Sequence, residues 1–246
     1  MKKRLVLVVA LILIATMVFV TGCGKKEEPK PEPQAEAQEE AEEEAEEEAE
    51  EAAEEAESVV PEELLGETNG STYVNDFFGF RLDGTDNWYL LEKSELMELM
   101  GLAASSADAS MAEILENTGY AMDLYGINLT QMAENPNAYD NVNATIQDIG
   151  KIYGIIYNEK QIAEASVETI KQTLAAQGVE VVSVDVGESN FIGKNCVSMT
   201  IVSKAGDITM YQKQVYLKNG SALACITATT FMEDRTDEVL AMFKAE

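Results

Sequence analysis

The chain has 246 residues and a formal net charge of −28 at pH 7, from 45 Asp and Glu against 17 Lys and Arg. An acid excess this large disfavours nucleic acid and direct docking on anionic lipid, both of which recruit Lys and Arg clusters. Histidine is absent, which removes the commonest general base, the His-paired Ser and Cys nucleophiles, and His-based zinc or copper sites.

The chain opens with a basic patch, Lys2-Lys3-Arg4, followed by an apolar run from Leu5 to Val20 broken only by Thr16. Sixteen helical residues would reach about 24 Å, short of the ~30 Å hydrocarbon core, so the run reads as a secretory signal rather than a spanning helix. It ends in Val20-Thr21-Gly22-Cys23, which resembles the lipobox of bacterial lipoproteins. The resemblance implies cleavage between Gly22 and Cys23 and a lipid on the Cys23 thiol. It places the mature chain on the outer face of a bacterial cell membrane, of the Gram-positive type. Two acyl chains hold a protein stably where one is marginal.

Residues 23–65 read as a linker. Residues 27–63 hold 19 Glu and a single Lys, with alanines spaced through Glu36 to Glu57. Glu and Ala both favour helix, but Glu pairs such as Glu40-Glu44 repel at i,i+4, and alanine is too small to build a coiled-coil seam. The segment therefore reads as a self-repelling spacer without a core, framed by Pro31, Pro33 and Pro61. From Cys23 to Val60 it reaches at most about 130 Å at ~3.5 Å per residue. Its carboxylates offer at most weak, nonspecific association with Ca²⁺ or Mg²⁺.

Residues 66–246 suffice for one globular domain. Ser71 to Val74 and Phe77 to Leu82 read as strands around an Asn75-Asp76 turn. Ser94 is placed to cap a helix through Met97 and Met100, and Ser110-x-x-Glu113 is a capping-box pattern. Tyr120 to Asn128 and Val142 to Ile149 read as strands. Asn158, with Gln161 three residues on, opens a helix that Gly178 stops. Strands follow at 179–186, 195–203, 207–217 and 221–231. Asp234 or Thr236 then caps a closing helix carrying Val239, Leu240, Met242 and Phe243.

Turns at Ala205-Gly206 and Asn219-Gly220 set a register with Gln214 opposite Cys225 and Val215 opposite Cys196. The two cysteines then lie on opposite faces of strands that are not neighbours. A disulfide needs Cα atoms about 4.4–6.8 Å apart, so two free, buried thiols are expected. One face carries Val197, Met199, Ile201, Ile208, Met210 and Leu223, and the other Val202, Val215, Leu217, Ala222, Ala224 and Ile226. A sheet apolar on both sides must be covered on both sides. The expected fold is α/β: a mainly antiparallel sheet with helices on both faces.

Tyr73-Val74-Asn75-Asp76-Phe77-Phe78-Gly79-Phe80 followed by Trp88 resembles the opening of PsbP-like domains and related bacterial lipoproteins. The resemblance implies an α/β/α sandwich around an antiparallel sheet and a noncatalytic binding or assembly role. It supplies no site residues. Gly84-Thr85-Asp86-Asn87 stands where that family usually has a Pro before the Trp.

Candidate sites are few. The aromatics Tyr73, Phe77, Phe78, Phe80, Trp88 and Tyr89 could line a pocket, although aromatics on short strands are mostly core. Leu96 to Met100 could form an adaptable Met surface or simply pack. Asp83, Asp86 and Glu92 could gather a cation but lack EF-hand spacing. No phosphate loop, nucleophile elbow or CxxC is present, and no catalytic residue, metal site or cofactor is expected. The leading function is a membrane-anchored extracytoplasmic module that docks an envelope protein partner. A hydrolase of wall glycans, using two carboxylates about 5–9.5 Å apart, and a solute-binding lipoprotein remain open.

Overall fold

The computed structural model describes residues 60–96 and 120–246. The signal segment, Cys23, the Glu-rich linker, Met97 to Met100 and the Ser110-x-x-Glu113 pattern lie outside the described residues. In chain order the elements are β1 (Glu67–Asn69), β2 (Thr72–Asn75), β3 (Phe80–Asp83), β4 (Trp88–Leu90), β5 (Tyr120–Asn128), α1 (Leu129–Glu134), β6 (Asn141–Asp148), α2 (Lys151–Ile156) and α3 (Glu159–Ala176). They continue with β7 (Glu180–Phe191), β8 (Lys194–Ala205), β9 (Ile208–Asn219), β10 (Ala222–Phe231), α4 (Thr236–Leu240) and β11 (Phe243–Ala245).

Among the described residues the strands form two antiparallel sheets, a large one in the order β4-β5-β6-β10-β9-β8-β7 and a small one in the order β1-β2-β3-β11. One face of the large sheet carries Met199, Ile201, Tyr216, Leu223 and Cys225 against Ala163, Ile170 and Leu174 of α3. The other carries Val142, Ala144, Ile146, Ala224 and Ile226. Small side chains there leave room for Tyr73, Phe80 and Phe243 of the small sheet, beside Val239 and Leu240 of α4. Phe80 meets Phe243 edge-on at 5.7 Å, a favourable ring geometry. The expected antiparallel α/β sheet covered on both faces is thus observed, with a second small sheet sharing one cover with α4.

Helix α3 has both end signals that the sequence carries. Asn158 Oδ1 accepts from Gln161 N at 3.0 Å, and Asn158 N donates to Gln161 Oε1 at 3.1 Å. At the far end Gly178 has φ +76°. Val179 N donates to Leu174 O and Gly178 N to Ala175 O, each at 3.0 Å, the paired bonds of a Schellman motif.

Both long hairpins turn one residue later than expected. Asn219 pairs with Ala222 and Ala205 with Ile208, so the loops are Gly220-Ser221 and Gly206-Asp207. Each puts glycine first, with φ +65° and +63°, as a type II′ turn demands. Cys225 therefore faces Tyr216 rather than Gln214, and Ser198 rather than Cys196 faces Val215. Moving a two-residue loop by one position shifts pairing by two, so every side chain keeps its face. The thiols are free and buried, Cys196 in one core and Cys225 in the other.

Three further boundaries differ. Asn75 pairs with Phe80, so the first hairpin loop runs 76–79 rather than turning at Asn75-Asp76. Helix starts at residue 93 instead of behind Ser94, with Glu92 N donating to Glu95 Oε2 at 2.9 Å. The closing helix stops at Leu240, and Phe243 enters β11 opposite Leu82. Burying Phe243 among Phe80 and Phe191 outweighs one more helical turn.

Candidate functional site

Strand β5 is apolar except for Asp123 and its terminal Asn128, and its pairing with β6 slips between Met122 and Leu124. Such a bulge carries one extra residue and re-aims its side chain. Asp123 turns towards the small sheet, where its Oδ2 accepts from Tyr73 Oη at 2.5 Å, Gly66 N at 2.7 Å and Asn75 Nδ2 at 3.2 Å. Asn75 is itself fully used: Nδ2 also donates to Leu64 O at 3.0 Å, and Oδ1 accepts from Phe78 N at 3.0 Å. Gly66 has no alternative here, because a Cβ would stand 2.4 Å from Val74 O and 2.6 Å from the Tyr73 ring.

Burial pushes the Asp123 carboxyl above the usual carboxylate range, against the bonds from Tyr73, Gly66 and Asn75 and the charge of Lys93, which pull it down. Burial, with the adjacent carboxylate, pushes the Tyr73 phenol well above its ordinary value. The arrangement holds β5, β2 and the segment before β1 together.

Asp123 lies at a groove of about 680 Å³ also lined by Glu62, Glu67, Glu92, Lys93 and Leu96. Three glutamates against one lysine make its wall net negative, so it favours a cationic or hydrogen-bond-donating guest. No group of three or more Asp, Glu, His or Cys among the described residues is arranged to hold a metal ion.

The aromatics singled out in the sequence do not share a pocket. Tyr73, Phe78 and Phe80 are core, while Phe77 and Trp88 pack against it from partly buried positions. Tyr89 is 40% exposed and donates to Glu95. The acidic trio is not brought together either. Asp83 accepts from Lys244 at 2.7 Å and Arg81 at 3.1 Å, and Lys244 foremost holds its carboxyl below the usual range. Asp86 is exposed and Glu92 lies at the groove. Burial pushes the Cys225 thiol up to about 12 and raises that of Cys196, so neither thiol is activated.

Two carboxylates, the half-buried Asp123 and the buried Asp140, were not singled out by motif reasoning. Beside Asp123, Asp140 is 3% exposed and takes a forked pair from Arg235, Nη2 to Oδ1 at 3.0 Å and Nε to Oδ2 at 3.1 Å. Gln131 adds a bond from Nε2 at 3.0 Å. The available signal was position: Asp123 interrupts the apolar run of β5, where an ionised group must find partners.

No protein-family model and no curated protein matches the chain. Similar solved structures include cyanobacterial PsbP from Synechocystis, at 13% identity and TM-score 0.42, covering 73% of this chain and 95% of that one. A Bacteroides thetaiotaomicron structure is 10% identical at TM-score 0.35, and the match takes in 73% of this chain but about half (49%) of that chain. LpqN of Mycobacterium tuberculosis, described as involved in cell envelope biogenesis, is 14% identical at TM-score 0.33, with 71% of this chain and 79% of that chain covered.

Proposed function

We propose that this chain is a lipid-anchored extracytoplasmic binding module. Cys23 carries the lipid, the Glu-rich linker holds the domain off the membrane, and the folded domain docks a partner at the Asp123 groove without chemistry. The bonding of Asp123 carries this reading. One carboxylate oxygen takes donors from Tyr73, Gly66 and Asn75, which suits a fixed groove floor better than a reacting acid. The net negative wall favours a partner that presents Lys or Arg.

Cross-linking of the full-length protein in its membrane, with mass spectrometry of what is captured, tests the reading. One dominant partner is expected, lost in Cys23→Ala and in the groove variant Glu62→Lys/Glu67→Lys. Capture of unrelated neighbours only, unchanged in both variants, would contradict it.

A further inference from the structure

Most of the large apolar side chains exposed among the described residues gather on α2 and the residue that ends it. Ile155 is 85% exposed and Ile156 58%, and Ile152, Tyr153 and Tyr157 are exposed beside them. The Tyr153 and Tyr157 rings stack with centroids 5.8 Å apart. The helix is held by its backbone. Gly154 lies against the β9–β10 turn, where a Cβ would stand 2.7 Å from Gly220 O and 2.9 Å from Ser221 Cα. Lys218 Nζ donates to Gly154 O at 2.5 Å and to Tyr157 O at 2.8 Å. Glycine on the packed side leaves the isoleucines turned outward.

The linker joins the domain at this same end of the large sheet. Val60 and Leu64 are buried in the core, where the folded part begins. Leu64 O accepts from Asn75 Nδ2 at 3.0 Å, and Asn75 opens the 76–79 loop. Within that loop Phe77 O accepts from Asn219 Nδ2 at 3.2 Å. Asn219 closes β9 beside Gly220, on which Gly154 of α2 rests. A short run of contacts thus leads from the linker junction to the exposed isoleucines. Exposed apolar patches of this size on a soluble domain commonly mark a contact surface.

We infer that α2 is a membrane-contact element: Ile155 and Ile156 enter the lipid–water interface of the bilayer that holds the Cys23 lipid, and the Tyr153–Tyr157 pair rests at headgroup depth. The inference rests on the anchor proposed above and adds a second point of contact to it. Tyrosine suits that depth, being apolar in its ring and polar at its tip. Residues 149–158 hold one Lys and no Asp or Glu, and Lys218 brings a second positive charge against the helix. This spot therefore escapes the repulsion that an acidic surface meets at anionic lipid. Six helical residues are too few to span a bilayer, so the helix lies in the plane of the interface. A second copy of the chain fits less well. At about 200 Å² for a fully exposed large side chain, the five residues present roughly 500 Å², below the ~800 Å² per partner of a stable protein interface. A bilayer needs no such area, because the linker already keeps it within about 130 Å.

The test is depth-dependent quenching of the full-length lipoprotein, reconstituted into phosphatidylcholine vesicles in which some lipids carry a nitroxide on the acyl chain. A thiol-reactive fluorophore is placed on Ile155→Cys or, as a control, on Met232→Cys. Met232 is 62% exposed and lies beyond the far end of β10, about 30 Å from the start of that strand. Cys196 and Cys225 are buried, so the introduced thiol takes the label. The label at 155 is expected to lose most of its emission and the label at 232 to keep it. Adding Ile156→Asp, at an exposed position that leaves the circular dichroism unchanged, is expected to reduce the loss at 155 several-fold. Equal quenching at both positions, quenching at neither, or a loss at 155 that Ile156→Asp leaves unchanged would overturn the proposal. Peptide mass spectrometry separates the two readings: fluorophore on the Cys23 thiol would overturn the anchor and this contact together, whereas lipid on Cys23 without quenching at 155 would overturn the contact alone.

Discussion

Asp123 shows how a single residue can draw distant segments of the chain to one groove. Its carboxyl is raised above the ordinary value, so the folded state holds the proton more tightly than the unfolded chain does. The stability this adds is complete below about pH 3.9, the unfolded value, and is lost as pH rises through the raised folded value. Asp123→Asn keeps an acceptor oxygen for Tyr73 and Gly66 and removes the titration. Urea midpoints compared between pH 4 and pH 8 should therefore show the wild type losing stability relative to the variant as pH rises. A difference that stays flat, or grows in favour of the wild type, would contradict this. Part of the site was legible in the chain, since an acid within an apolar strand announces a buried partner. Which partners it finds was not, because Tyr73 and Gly66 lie 50 and 57 residues away and the bulge that aims it leaves no mark in the alternation.

At the scale of elements, legibility follows how local the signal is. Helix α3 is written into its own residues by the Asn158–Gln161 box and by Gly178. Asn158→Ala is expected to lower stability by about 1 kcal/mol, read from the urea midpoint, while an unchanged midpoint would mean that tertiary packing alone holds the helix end. The strands of the last meander were legible from alternation, and their faces survived a register that differed by two, because loop position changes pairing in even steps. Helix α2 was not legible. Its Lys151-Ile-Tyr-Gly-Ile-Ile stretch is short and rich in β-branched residues. It is secured by a distant group: Lys218 Nζ donates to Gly154 O at 2.5 Å and to Tyr157 O at 2.8 Å. The close of the chain was misread for a related reason, since the aromatic core that draws Phe243 into β11 is assembled from Phe80 and Phe191.

Over the whole molecule, charge and hydrophobicity divide the labour. Among the described residues, apolar side chains close cores on both faces of the large sheet, while much of the acid excess lies in the linker sequence. A domain of this kind needs neither metal nor disulfide to stand, given the size of the sheet and its two covers. The acidic linker and the acidic domain would both be repelled by anionic lipid, so the proposed anchored-module reading rests on a lipid at Cys23 to hold the protein at a membrane. Intact-mass and peptide mass spectrometry of the protein purified from membranes tests this most directly. The expected result is a mature chain that begins at Cys23 with a diacylglyceryl group on its sulfur, and a Cys23→Ala variant that carries no lipid. A membrane-derived chain that still begins at Met1, or an unmodified Cys23, would contradict the anchored-module reading.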